Sequence, residues 1–168
     1  MSKAFLRETD LPELSDRPPP SLLPFGAKNY VTPGGLQRMR EELARHLEID
    51  RPPLIAGGMD GEAKRQLQAL DQRIHYLEQS LRTAVVVERP HAPIDEIRFG
   101  ATVTVRDQKG ETSTYRIVGV DEVESERGHI SWLSPIARAL VAAKAGQRVI
   151  FKSPVGEQPL DVLAIVYE

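Results

Sequence analysis

"FGATVTVRDQKGETSTYRIVGVDE" (residues 99–122) decides the fold. Val103 and Val105 alternate with Thr102 and Thr104, and Ile117 continues the two-residue beat after the turn-like "DQKGE" (107–111). That period belongs to strands with one face buried. Upstream of about residue 85 the apolar residues recur at three and four instead, so the chain passes from helical to extended.

Working toward the C-terminus, "GHISWLS" (128–134) reads as a third strand. "SPIARALVAAKAG" (134–146) reads as a short helix, with Ser134 as N-cap, Pro135 in the first turn and Gly146 as the stop. "QRVIFKS" (147–153) and "EQPLDVLAIVYE" (157–168) flank the "PVGE" turn as two more strands. The expected core is Val103, Val105, Ile117, Ile130, Leu140, Val149, Ile150, Val162 and Ile165.

Working toward the N-terminus, "TAVVVERPHAPIDE" (83–96) reads as a linker. Before it, Leu67, Leu70, Ile74, Leu77 and Leu81 form the seam of a coiled coil. An earlier helix begins at "VTPGG", with Thr32 as N-cap and Pro33 at the first position, and carries Leu36, Met39, Leu43 and Leu47 on one stripe. Pro52 and Pro53 end or kink it close to Asp50. Two such stripes with a short connector bury most simply against each other. The expected class is α+β. A flexible Pro-rich tail (1–27) leads into an antiparallel coiled-coil hairpin (28–84). A linker (85–96) then joins it to a small β domain with one short helix (97–168).

The totals narrow the function. The chain has 168 residues, no cysteine and a formal charge of −2, which excludes disulfides and thiolate zinc sites and gives no whole-molecule attraction to nucleic acid. His46, His75, His91 and His129 lack metal-ligand spacing, and no phosphate-cradling glycine motif is present. With no apolar run near membrane length and no leader-like N-terminus, a cytoplasmic protein with no membrane contact is expected.

A helical hairpin followed by "FGATVTV", "YRIVGVDE" and "SPIARAL" resembles the Gre family of bacterial transcript-cleavage factors, and "LDQRIHYL" (70–77) is similar to the second helix of its GreB branch. The resemblance implies an FKBP-like C-terminal domain that docks at the rim of the secondary channel of RNA polymerase. It also implies a hairpin whose acidic tip helps the polymerase hold a second Mg²⁺ that cuts backtracked RNA. Such a factor is no enzyme of its own. It needs no cofactor, acts as a monomer and has nascent RNA as a further contact. Lys64, Arg65 and Arg73 match the family's RNA-contacting basic patch. Ser134, Pro135, Ile136 and Arg138 match its polymerase-docking loop, with Trp132 and Leu133 as an exposed apolar anchor.

The tip departs from the family. Between "RPP" (51–53) and "KRQLQALDQRIHYL" (64–77) this chain is short by about a dozen residues, which at ~1.5 Å per helical residue takes roughly 10 Å off the hairpin. The acidic motif falls in that gap. Asp60 and Glu62 are the remaining catalytic candidates, and no metal site is assigned. Asp60 also suits an N-cap and Glu62 the N-terminal dipole of the second helix, which is the preferred reading. The expected function is a Gre-type regulator with weak or no cleavage stimulation. The alternative is an active GreB-like factor working through Asp60 and Glu62. A free-standing prolyl isomerase is a third class, suggested by the fold of the second domain alone.

Overall fold

Thr32 opens the first helix by accepting a hydrogen bond from the Gly35 N–H at 3.0 Å, and Pro33 follows where a missing N–H costs nothing. The computed structural model describes residues 23–58 and 60–168, so residues 1–22 of the tail expected over 1–27 lie outside the described residues. Strand β1 (Asn29–Val31) leads into α1 (Pro33–Arg45). One π-helical turn (His46–Asp50) then carries the chain into α2 (Arg51–Ala56).

The expected break near Asp50 is thus a change of hydrogen-bond register, and the helical path runs on for six residues. The Arg51 N–H reaches back five residues to the His46 carbonyl, and Pro52 falls in the first turn of the segment that follows. After the turn at Gly57–Gly58, α3 (Gly61–Thr83) returns.

Val31, Met39 and Leu77 are buried where α1 meets α3, with Leu36, Leu43, Leu81 and Ala84 packed around them. Rising numbers on one arm meet falling numbers on the other, since Glu42 contacts Arg73 and Arg51 contacts Asp71. β2 (Ala84–Val86) pairs in parallel with β1, so Val85 and Val86, read from sequence as linker, complete a strand. Three residues are too few to show a period.

The second part is a five-stranded mixed sheet in the order β5-β4-β3-β7-β6. Its strands are β3 (Ala101–Arg106), β4 (Thr112–Val118), β5 (His129–Ser131), β6 (Arg148–Ser153) and β7 (Gly156–Tyr167). Only β4 and β5 run parallel; the other pairs are antiparallel. Helix α4 (Pro135–Leu140) covers the inner face, and the whole is α+β as expected.

Val103, Val105, Ile117, Leu140 and Val162 are buried, and Ile130, Val149 and Ile165 pack against them. Ile150 does not belong to the core. Strand alternation turns Val149 and Phe151 inward and leaves Ile150 49% exposed. Helix α4 also stops short of Gly146, because the next segment bonds elsewhere. The Ala142 N–H donates to the Ile97 carbonyl and the Ile97 N–H to the Ala143 carbonyl, both at 2.8 Å, with Ala142 at φ 68°.

Candidate functional site

The turn between the arms brings Asp60 and Glu62 to the surface, but each is already engaged. The Asp60 Oδ1 accepts from the Ala63 N–H at 2.7 Å, which makes Asp60 the N-cap of α3. Glu62 accepts from Gln66 Nε2 at 3.1 Å, and its other oxygen lies 3.7 Å from the Arg65 guanidinium. No cluster of three or more histidines and carboxylates that could hold a metal ion occurs among the described residues. A Mg²⁺ held by another protein and approaching this tip would meet one carboxylate that closes a helix end and one that faces a cation.

The three basic residues matched from sequence have separate fates. Lys64 is exposed, and Arg65 is exposed beside Glu62. Arg73 makes a two-toothed contact to Glu42, at 2.7 and 3.0 Å, and lies 5.5 Å from the Tyr76 ring centre. It joins the two arms. His46, 8% exposed, stands on the same belt with Nδ1 2.7 Å from Asp50 and Nε2 3.3 Å from Glu42. The Arg73 hydrogen bond, above all, holds the Glu42 carboxyl below its ordinary value, against a contrary push from burial. Asp50 is lowered chiefly by its hydrogen bond from His46. Arg51 adds a contact to Asp71 at 2.7 Å.

The loop entering α4 has the expected start. The Ser134 Oγ accepts from the Ala137 N–H at 3.2 Å, Pro135 and Arg138 are exposed, and Ile136 is half-buried against the core. The anchor reading of Trp132 does not hold. Its ring packs edge-on to Tyr30 with centres 5.1 Å apart and rests against the sheet core, and Leu133 is also half-buried. Trp132 is a joint between the two parts of the molecule.

Sequence reasoning missed two acids at that joint. A short 3₁₀ turn (Val120–Glu122) after β4 brings Asp121 and Glu122 against the base of the helical arms. Glu122 is 6% exposed and accepts from the Thr32 N–H at 2.9 Å, the Gly119 N–H at 3.0 Å and the Thr32 hydroxyl, with Arg38 at 3.5 Å. Asp121 accepts from the Tyr76 hydroxyl at 2.5 Å and from Ser80 Oγ at 3.2 Å. Burial, with the Asp121 hydrogen bond second, pushes the Tyr76 phenol up to about 12. The sequence carried one signal for this joint. Gly35 sits in the first turn of a helix, where a Cβ would fall 2.1 Å from the Glu122 carboxyl carbon.

Residues 91–167 match the family model described as transcription elongation factor, GreA/GreB, C-terminal. The whole-chain likeness is broader. Transcription elongation factor GreB of Neisseria meningitidis serogroup B is 34% identical over 154 residues, covering 83% of this chain and 94% of that protein. GreB of Pseudomonas aeruginosa is 35% identical over 151 residues, covering 82% and 89%. The chain belongs to the GreA/GreB family of transcription elongation factors. Among solved structures, GreA factor homolog 1 of Thermus thermophilus is 23% identical, with a TM-score of 0.38 over 83% of this chain and 99% of that one. Among the described residues, no helix is long and apolar enough to cross a membrane.

Proposed function

We propose that the protein is a cytoplasmic regulator of transcription elongation that binds RNA polymerase at the rim of its secondary channel and stimulates transcript cleavage weakly or not at all. The sheet domain, FKBP-like in this reading, docks through Ser134, Pro135, Ile136 and Arg138. The arms project as a hairpin toward the polymerase active site, and nascent RNA is met by Lys64 and Arg65 rather than by Arg73. The factor acts as a monomer, is not itself an enzyme and needs no cofactor of its own.

The observation that carries this reading is the employment of the two tip acids. Asp60 spends one oxygen on the α3 cap and Glu62 is shared between Gln66 and Arg65, so a metal at the tip would compete with both sets of contacts. The alignments add support. The match to the Neisseria protein runs over 154 positions yet takes in only 83% of this 168-residue chain, so that relative carries residues with no counterpart here.

Pull-down with purified core RNA polymerase tests the docking half. Capture of the intact chain is expected, with a loss of at least tenfold in affinity for a Pro135→Ala/Arg138→Glu variant. Equal capture of that variant overturns the assigned surface, and no capture of either overturns the function.

A further inference from the structure

We infer that Asp121 and Glu122 are positioning residues that lock the helical arms to the sheet domain, so that the docked sheet aims the arms. The inference rests on the proposed function only where it speaks of aim; the lock itself is a property of the free protein.

Two neighbouring carboxylates on one 3₁₀ turn reach different arms. Glu122 holds the start of α1. Its Oε2 takes the Thr32 and Gly119 N–H groups, and its Oε1 takes the hydroxyl of Thr32, the side chain that itself caps α1. A helix is therefore capped at one remove by an acid 90 residues away in sequence. Asp121 holds α3 through Tyr76 and Ser80, which lie one turn apart on a single face.

Two glycines make room for this. A Cβ on Gly35 would fall 2.1 Å from the Glu122 carboxyl, and one on Gly119 would fall 2.5 Å from the Tyr30 carbonyl oxygen and 2.8 Å from Glu122 Oε2. Tyr30 closes the same joint by packing on Trp132 and on Phe99, with ring centres 5.1 and 5.8 Å away. Buried charge-assisted bonds are directional, whereas an apolar joint alone would leave the domain angle soft. The seam holding the arms to each other is separate, since Met39 and Leu77 form a cluster of their own.

The test uses the full chain, whose lack of cysteine permits clean spin labelling at Arg40→Cys on α1 and Lys152→Cys on β6. Dipolar spectroscopy should give one narrow distance distribution. Asp121→Asn/Glu122→Gln should at least double its width, and so should Gly35→Ala, which expels the carboxylate from the opposite side. Unchanged width in both variants, with native circular dichroism, overturns the inference.

Hydrogen exchange on the unsubstituted protein supplies a check that no folding defect can blur. The Thr32 and Gly119 amides should open together, with protection factors within threefold. A difference beyond tenfold also overturns the lock. With RNA polymerase, a photo-crosslinker at Ile55 should lose at least fivefold in yield in the Asp121→Asn/Glu122→Gln variant while half-saturation of docking moves less than twofold. Equal crosslinking defeats the aiming role. If the unsubstituted chain binds no polymerase, the proposed function fails and the distance measurement alone judges the lock.

Discussion

Gly34 and Gly35 are adjacent in the first turn of α1, yet an alanine at each should move stability in opposite directions. At Gly35 the new Cβ would lie 2.1 Å from Cδ and Oε1 of Glu122 and 2.6 Å from its Cγ, so the carboxylate must leave. Its departure strands the Thr32 and Gly119 N–H groups, now bonded at 2.9 and 3.0 Å, at about 1–3 kcal/mol for each buried donor. Alanine returns up to ~1 kcal/mol through helix propensity. The net expectation is a loss of about 1–6 kcal/mol.

At Gly34 the new Cβ meets only Arg38 Nη1 at 3.5 Å and Thr32 Oγ1 at 4.0 Å, which is ordinary contact. That variant should be neutral or gain up to ~1 kcal/mol. Urea unfolding followed by the fluorescence of Trp132, the sole tryptophan and part of the joint, reads both. A Gly35→Ala midpoint at or above that of Gly34→Ala would refute the argument that the glycine exists for the acid.

Three further expectations follow from the same geometry. Leu77, wholly buried between the arms, should cost about 2–5 kcal/mol when cut to alanine, whereas Ile150→Thr on the open face of β6 should stay within about 0.5 kcal/mol in the same urea assay. Glu42 and Asp50 both titrate below their ordinary values, so the stability they contribute is complete above those values and is lost as pH falls through the lowered ones. Helical ellipticity should therefore fall below about pH 4, with a shallower acid dependence in Arg73→Gln; identical profiles would deny the belt its role. Asp60→Ala should destabilise α3 by about 0.5–2 kcal/mol while Asp60→Asn stays near neutral, as denaturant midpoints will show.

The elements visible in the sequence were those with a period or a cap. The Leu67–Leu81 stripe, the Thr32-Pro33 and Ser134-Pro135 starts, and the Val103/Val105 alternation each encode local geometry, and each is found where expected. What escaped depends on partners far along the chain. "VDE" read as the end of a strand, because nothing local says that its acids meet Thr32 and Tyr76. Ile150 read as core because three apolar residues in a row hide the alternation that exposes the middle one. The truncation of α4 depends on Ile97, whose backbone claims Ala142 and Ala143. At the tip, the carboxylates were legible as candidates, and their capping geometry was legible too; Arg73 was not, since its partner Glu42 lies on the other arm.

Transcript shortening in a stalled, backtracked complex of purified RNA polymerase measures the central claim most directly. With the protein present at saturation, the rate of RNA cleavage should stay within a few-fold of that of polymerase alone. A Mg²⁺-dependent acceleration of tenfold or more, abolished by Asp60→Asn/Glu62→Gln, would contradict the account.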